Sequence, residues 1–367
     1  MFDVIVAGHL CLDLLPDMQF VPLEALALPG TLHEVGPARL ATGGAVSNTG
    51  LALHRLGVNV GLMSSVGDDF IGRTILDVLR GRDPRLTELI SVQSGTASSY
   101  TVVLSPTRTD RVFLHYTGTN ATFTASDIDP IALRGAKLFH LGYPTLLPRL
   151  LDSSGAGLVK AFKAARKAGA VTSMDMTLPD PNGDAATLDW RAIFRNVLPQ
   201  VDVFVPSIDE ALFTLRRADF DRWRGRAAES VSLSYLREFA DELIALGCAV
   251  TGFKLGDRGV YLKVADEDRL FRLRPGGLKL PDWDNAEVYQ PAYQVDVAGT
   301  TGAGDAAYAA LLTAMLHGVS LDEAASWFCA AGACCCEAPD ATSGVLPLDE
   351  MLMRLDAGWP LHAAHIR

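Results

Sequence analysis

Short apolar runs alternate with amphipathic stretches of helical period along most of the 367 residues. This alternation is typical of a parallel sheet with helices on both faces, because a parallel strand returns to the same sheet through a crossover helix. Strands are predicted at residues 3–8, 58–65, 136–141, 170–175, 201–205 and 249–255. Helices are predicted at residues 157–168, 209–216, 233–246, 303–317 and 321–337, with another over 71–79 capped by Asp68. The chain is therefore expected to be an α/β protein.

Two segments interrupt this alternation, at about residues 11–40 and 96–116. Both alternate in period two, and the sequence Ser-Pro-Thr-Arg-Thr-Asp at 105–110 is typical of a hairpin turn. We expect them to form a small sheet over one end of the main sheet, which could act as a lid that excludes water. The prediction is one domain over residues 1–367 with these lid segments inserted, and an extra hairpin and loop over 266–294.

The charge balance argues against several classes of partner. The chain has 43 acidic and 32 basic residues, and the basic ones are scattered rather than gathered on one stripe. Nucleic acid is therefore not expected as a partner. Apolar runs are shorter than the ~18 residues that span a membrane, and the start lacks a signal-peptide pattern, so the expected location is cytoplasmic. The six cysteines show no Cys-x-x-Cys spacing and the histidines no ligand spacing, which favours packing over metal binding.

The most informative motif is Gly-Thr-Thr-Gly-Ala-Gly-Asp at residues 299–305, followed directly by an apolar helical run. Small residues let backbone N–H groups approach an anion, and the start of a helix adds partial positive charge at the same point. The motif lacks the Gly-Lys-Ser/Thr ending of a P-loop. It predicts a phosphate cradle that works without that lysine.

Asp305 ends this motif and gives it a chemical purpose. A carboxylate beside a phosphate repels the ligand unless it takes part in the reaction, for example by removing a proton from an attacking hydroxyl. Two alternatives remain open from these residues alone. Asp305 could cap a helix after a glycine turn, and Gly302-x-Gly304-x-x-Ala307 also fits a dinucleotide fingerprint, although that fingerprint usually follows the first strand.

A second cluster near the start of the chain, together with the cradle, resembles a known family. Thr-Gly-Gly-Ala-Val-Ser-Asn at 42–48 and Val-Gly-Asp-Asp-Phe-Ile-Gly at 66–72 resemble the N-terminal signature of the ribokinase-like (PfkB) carbohydrate kinases, and residues 299–305 resemble their C-terminal signature. Lys-Leu-Gly-Asp-Arg-Gly-Val at 254–260 lies between them in the family's order. The resemblance implies a ribokinase-like three-layer α/β/α fold, with a central mostly parallel sheet and a small β-sheet lid.

The same resemblance implies a function and a set of site residues. The chain would transfer phosphate from ATP, with Mg²⁺, to a hydroxyl of a sugar or polyol. By family analogy, it would also form a homodimer through the lid. Asp305 would be the general base, with Gly302, Ala303 and Gly304 as the anion hole. Asp13, Gly43, Gly44 and Asn48 would bind the substrate, Lys254, Gly256 and Gly259 the nucleotide, and Glu210 would act on magnesium through water.

Three departures from the family pattern qualify these expectations. Gly299 stands where the family has an aspartate of a monovalent-cation site, which argues against potassium activation. Ser207 replaces the asparagine of the family's Asn-x-x-Glu motif, and residues 175–177 lack its Asp-x-Asn-x-Arg pattern. The identity of the sugar is therefore open. A sugar- or nucleoside-binding protein without turnover and, less favoured, a nicotinamide-dependent enzyme are the alternative functions.

Overall fold

The first strand shows that the main sheet is covered on both sides. In the computed structural model, which describes residues 1–18, 21–106, 111–152 and 154–363, Val4 and Val6 belong to one hydrophobic core. Ile5 and Ala7, which point to the opposite face of the strand, belong to the other core. All four side chains are fully buried. This burial on both faces explains why the strands are continuous apolar runs.

Nine strands form the main sheet in the order β13-β12-β11-β10-β9-β8-β1-β4-β5 within the described residues. The pairs from β11 through β5 are parallel, whereas β12 and β13 run antiparallel at one edge. The strands of this sheet are β1 (Val4–Gly8), β4 (Val60–Gly67), β5 (Ile90–Gln93), β8 (Leu138–Gly142), β9 (Val171–Asp175), β10 (Val203–Phe204), β11 (Val250–Lys254), β12 (Val260–Val264) and β13 (Glu287–Gln290).

Helices cover both faces of this sheet. One core contains residues of the first two helices and of the last three, and the other contains residues of the helices in the middle of the chain. None of the helices in the described ranges is long and apolar enough to cross a membrane. The helices are α1 (Ala45–Arg55), α2 (Phe70–Arg80), α3 (Ala156–Lys167), α4 (Trp190–Val197), α5 (Ile208–Leu215), α6 (Arg217–Trp223), α7 (Ala227–Ser230), α8 (Leu233–Leu246), α9 (Glu267–Leu270), α10 (Ala303–His317), α11 (Leu321–Cys336) and α12 (Leu348–Asp356).

A second sheet of four strands, here called the small sheet, has the order β3-β2-β6-β7. Its strands are β2 (Cys11–Asp17), β3 (Gly36–Gly43), β6 (Tyr100–Leu104) and β7 (Val112–Tyr116). These strands come from the two segments that were predicted to interrupt the main alternation. The predicted three-layer fold with a mostly parallel sheet and an additional small sheet is confirmed.

Helix α10 explains how the cradle motif is held in place. Its side chains from Asp305 to Met315 are buried all round, as expected for a helix in the core and not at the surface. The alanines at 306, 307, 309 and 310 keep the helix surface narrow, so that its neighbours α1 and α11 can pack closely against it. The N-terminus of α10 is therefore fixed beside α1.

Three sequence-based predictions differ from the structure or lie outside it. The cap of α2 is Asp69, whose carboxylate accepts a hydrogen bond from Gly72 N at 2.7 Å, whereas Asp68 accepts from Gly95 N. Residues 266–294, predicted to form an extra hairpin and loop, instead form short helical turns and the edge strand β13. This strand pairs with β12 and not with a second strand from the same segment. The turn predicted at 105–110 falls largely on 107–110, outside the described residues.

We expect Asp202→Ala to lower the free energy of unfolding by about 3–5 kcal/mol, because it removes one partner of a buried ion pair. The Asp202 carboxylate is 1% exposed and contacts Arg166 at 2.7 Å and Arg272 at 3.1 Å. Asp77→Ala is the control, since its side chain is 76% exposed and its pair with Arg80 spans 3.5 Å; it should cost less than about 1 kcal/mol. Urea unfolding measures both, and equal costs would contradict the structural role of Asp202.

Candidate active site

A cavity of about 850 Å³ lies between the small sheet and the end of the main sheet. The small sheet contributes Asp13 and His115 to its wall, and the main body contributes Asn48 and Tyr143. Gly302, at the start of the cradle helix α10, also lines it. The cavity therefore joins the two sequence motifs that lie farthest apart in the chain. Its position at the carboxyl ends of parallel strands is where α/β proteins usually bind ligands.

Asp305 is buried beside this cavity and is held by three side chains. Its Oδ2 accepts hydrogen bonds from Asn48 Nδ2 at 3.0 Å and from the Tyr143 hydroxyl at 2.7 Å, and its Oδ1 accepts from Thr49 Oγ1 at 3.1 Å. The carboxylate is 2% exposed. Asn48 and Asp305 are 257 residues apart in sequence, so the fold brings together the predicted base and a predicted substrate contact.

Gly302 shapes the backbone before Asp305. It precedes the first residue of α10 with a φ of 76°, a left-handed conformation that glycine adopts without strain. The first N–H groups of a helix have no partner within it, and Gly302, which directly precedes those of α10, lines the cavity. Ala303 and Gly304 are the first two residues of this helix. The three residues predicted to form the anion hole thus lie together at the helix start.

Tyr143 and Thr49 are site residues that the sequence analysis did not predict. Tyr143 follows strand β8 and has a φ of 58°, which is unusual for a bulky residue. Burial, with the charge of Asp305 beside it, raises the pKa of Tyr143 well above its ordinary value, so the phenol stays protonated and donates its hydrogen bond. Strained backbone at a cavity often marks a functional position. The sequence signal was only a tyrosine between Gly142 and Pro144 at a strand end.

Asp13 lies on β2, and the predicted diglycine segment makes room for it. A Cβ atom added to Gly43 would lie 2.1 Å from Asp13 Oδ2, and one added to Gly44, whose φ is 83°, would lie 2.4 Å from His9 Nδ1. Burial raises the pKa of Asp13 to about 6, against hydrogen bonds from Cys11 and Thr101 that lower it. The two glycines therefore admit the side chains that form the cavity wall.

Lys254, predicted to lie next to the nucleotide turn, is the last residue of β11, directly before that turn. Its side chain is 13% exposed and its Nζ contacts both carboxylate oxygens of Asp175, at 2.7 and 2.8 Å. A Cβ atom added to Gly304 would lie 3.4 Å from this Nζ. The ammonium group thus lies beside the cradle. Burial opposes its charge, but Asp175 and Glu210 raise the pKa of Lys254 above its ordinary value.

Glu210 belongs to the same group of charges and also caps helix α5. Its Oε2 accepts a hydrogen bond from Ser207 N at 2.7 Å, and its own N–H donates to Ser207 Oγ at 3.2 Å, which completes a capping box. Ser207 therefore retains a local structural role at the position of the family's asparagine. Burial raises the pKa of Glu210, while Lys254 opposes this shift.

The turn with Gly256 and Gly259 joins β11 to β12. Both glycines have a positive φ, 61° and 92°, and a Cβ atom added to Gly259 would lie 2.0 Å from the carbonyl oxygen of Gln290. The close packing of the turn against β13 therefore explains why residue 259 is a glycine. Gly256 has no heavy atom within 4 Å of such a Cβ position. Their role in nucleotide binding stays a prediction.

We expect Asp13→Asn to stabilise the protein at about pH 7.5 by about 1–3 kcal/mol. The folded-state pKa of Asp13 is about 6, above its ordinary 3.8, so the folded wild type binds more protons than the unfolded chain between these values. Its stability therefore falls as the pH rises through this window, and the uncharged asparagine avoids that loss. The gain should vanish towards about pH 4. Urea unfolding at both pH values tests this, and a gain independent of pH would contradict it.

The chain is similar in sequence to known proteins. A profile of the pfkB family of carbohydrate kinases matches residues 1–348. Fructokinase-2 of Oryza sativa subsp. japonica is 26% identical over 313 residues, which cover 84% of this chain and 78% of that protein. Fructokinase-2 of Zea mays has the same identity and coverage.

Solved structures share the fold over almost the whole chain. Arabidopsis thaliana ribokinase complexed with ribose and ATP has a TM-score of 0.72 at 18% identity, covering 96% of this chain and 98% of that chain. Xylella fastidiosa fructokinase with bound ATP has a TM-score of 0.71 at 16% identity, covering 97% and 99%. These likenesses confirm the ribokinase-like fold, and the profile match shows that the chain belongs to the pfkB family of carbohydrate kinases.

Proposed function

We propose that this protein transfers the γ-phosphoryl group of ATP to a hydroxyl of a small sugar or sugar-like substrate, with Asp305 as the general base. The observation that carries the proposal is the buried Asp305 carboxylate at the start of α10, hydrogen-bonded to Asn48 and Tyr143 of the cavity wall. Relatives named fructokinase and solved structures with bound ATP support the same assignment.

The proton transfer requires a free acceptor position on Asp305. Within the described residues, its Oδ2 accepts from Asn48 and Tyr143 and its Oδ1 only from Thr49. Since a carboxylate has about four acceptor positions, an acceptor hydroxyl can donate to Oδ1, or to Oδ2 when Asn48 turns away. The hydroxyl then gives its proton to the carboxylate as its oxygen attacks phosphorus. The Asn48 amide can turn to bind a neighbouring substrate hydroxyl. The carboxylate of Asp13 can accept a hydrogen bond from another substrate hydroxyl.

Charge on the transferring phosphoryl group is stabilised by the chain's own cations and dipoles. The N–H groups of Gly302, Ala303 and Gly304 lie at the positive end of α10. Lys254 adds a full charge close to Gly304. Gly256 and Gly259 are proposed to line the base-binding part of the nucleotide site.

Magnesium fits the oxygen donors near this charge. Glu210 and Asp175 offer the carboxylates that Mg²⁺ prefers, with Glu210 acting through water. When bound with the triphosphate, the ion would neutralise part of the phosphate charge. Gly299 provides no side-chain ligand at the family's monovalent-cation position, so we propose no such site.

The small sheet is proposed to act as a lid. Arg111, just before β7, donates a hydrogen bond to Thr300 of the cradle motif, so movement of this sheet and access to the cradle are coupled. Exposed apolar residues of β7 that alternate with the cavity-lining His115, among them Leu114 and Tyr116, agree with the proposed homodimer through the lid.

The alternative functions have less support. A binding protein without turnover would gain nothing from a buried carboxylate at an anion site, because burying a charge is costly. For a nicotinamide-dependent enzyme, the glycine fingerprint should follow β1, yet β1 leads into Gly8, His9 and Leu10, and Gly302 precedes α10 near the other end of the chain.

Asp305→Asn should lower kcat by at least about 10²-fold and leave the acceptor KM within a few-fold, because only the base is lost. Coupled ADP release over a panel of sugars, polyols and nucleosides identifies the acceptor and then measures the variant. Glu323→Gln is the matched control. It makes the same acid-to-amide change at the third residue of α11, and Asp305 is the third residue of α10. Comparable loss in both variants, or ligand binding by the wild type without ADP release, would contradict the proposal.

Asn48→Ala should raise the KM for the acceptor by about tenfold or more and change the KM for ATP little, because the lost hydrogen bond to substrate is worth about 1.5 kcal/mol. Asn59→Ala is the control, since Asn59 donates to the carbonyl of Met1 at the surface. Steady-state kinetics with each substrate varied in turn give both constants. An effect confined to ATP would contradict the assignment of Asn48 to the acceptor.

A further inference from the structure

Three metal-ligating side chains meet where the small sheet contacts the main body. His9, Cys11 and His115 each offer one ligand atom, and these atoms all lie within 4.8 Å of one another. His9 and Cys11 are buried, and His115 is partly buried. His9 follows β1, Cys11 begins β2 and His115 belongs to β7. The cluster therefore depends on the tertiary fold, and it is separate from the proposed magnesium ligand Glu210.

The distance between the two imidazoles matches the geometry of zinc. His9 Nε2 and His115 Nε2 are 3.3 Å apart. Two nitrogens bound to one tetrahedral Zn²⁺ at about 2.0–2.1 Å also lie about 3.3 Å from each other. When no ion is bound, the two facing nitrogens share one hydrogen bond. An ion between them would use both Nε2 lone pairs, so the proton of that hydrogen bond would shift to Nδ1 of its own ring, with no net proton released from the imidazoles.

Thr101 forms hydrogen bonds with two residues of the cluster. Its hydroxyl lies 3.0 Å from His115 Nδ1, which leaves Nε2 of that ring directed at His9. The same hydroxyl lies 3.5 Å from Cys11 Sγ. A hydrogen bond to the second ring nitrogen is the usual way in which proteins orient a histidine ligand. The register of β6 and β7, which places Thr101 opposite His115, fixes this arrangement.

The donor types select the class of metal. Two imidazoles and a thiol suit Zn²⁺ and related transition metals, whereas Mg²⁺ prefers oxygen ligands. The carboxylate of Asp13, with Oδ1 3.4 Å from Cys11 Sγ, is the nearest fourth ligand. The cavity is lined by all four of these side chains, His9, Cys11, Asp13 and His115. An ion held by them would therefore face a substrate bound in the cavity.

We propose that His9, Cys11 and His115 form a transition-metal site for Zn²⁺ in the wall of the cavity, with the fourth position directed to Asp13 or to a bound ligand. The site joins β7 of the small sheet to the main body, so a bound ion holds these two parts together. Binding releases the thiol proton of Cys11 to solvent, and no electron is transferred.

Cobalt titration of the full-length protein, stripped with a chelator under reducing conditions, tests the site directly. Co²⁺ is a spectroscopic substitute for Zn²⁺, and a cysteine ligand gives a thiolate-to-cobalt charge-transfer band in the near ultraviolet. We expect the band to saturate at one equivalent per chain and to disappear when Zn²⁺ is added. This readout needs neither ATP nor a sugar, so it is independent of the proposed kinase activity.

Cys11→Ser should abolish the charge-transfer band, whereas the control Cys336→Ser should retain it, because Cys336 lies at the end of α11, away from the cluster. Thr101→Val should weaken cobalt binding by about 10–100-fold while retaining the band at saturation. His115→Ala, on a partly exposed strand, should weaken binding at least as much and serves as the test if Cys11→Ser does not fold.

Three outcomes would overturn the proposal. One is a wild-type protein that shows no charge-transfer band at several equivalents of Co²⁺. Another is a band of equal strength in Cys11→Ser and the wild type. The third is unchanged cobalt affinity in His115→Ala, which would mean that the imidazole pair is only a hydrogen-bonded contact.

Discussion

The arrangement of the site depends on a buried carboxylate that needs hydrogen-bond donors. Asp305 is held by Asn48, Thr49 and Tyr143, and leaving such a group without partners in the interior would be strongly unfavourable. These donors come from α1 and from the residue after β8. The need to satisfy one carboxylate therefore ties together α1, the start of α10 and the end of β8, which also border the cavity.

The side chains beside the cradle carry more negative than positive charge. Asp175, Glu210 and Asp305 surround one ammonium group, that of Lys254, and burial together with this excess of negative charge raises the pKa of Asp175. Lys254 itself stays charged because the three carboxylates outweigh its desolvation. A free phosphate would be repelled by this group unless cations accompany it. The arrangement thus favours a nucleotide that arrives with its own metal ion over a bare anion.

Much of the fold and part of the site could be predicted from the sequence. The alternation of apolar runs and helical periods specified the layers, since burial on both faces leaves a clear pattern. Asp305 and Asn48 could be recognised because glycine-rich motifs are local in sequence. Tyr143 and the pairing of Lys254 with Asp175 could not, because the partners lie on different strands and a single tyrosine or lysine carries no spacing. The cap of α2 was misplaced by one residue, since Asp68 and Asp69 have the same capping chemistry.

The contact between His9 and His115 is another feature that the sequence could not predict. The histidine spacing along the chain suggested no metal site, and it could not have done so, because strand pairing and not sequence distance brings β1, β2 and β7 together. Strand β7 also takes part in the assembly of the cavity. Residues 111–116 contact the cradle motif through Arg111 and the main body through His115, so this segment touches the cavity wall at two places. In the proposed function, displacing the segment would open the phosphate and substrate sites together, and this would couple substrate enclosure to the positioning of the cradle.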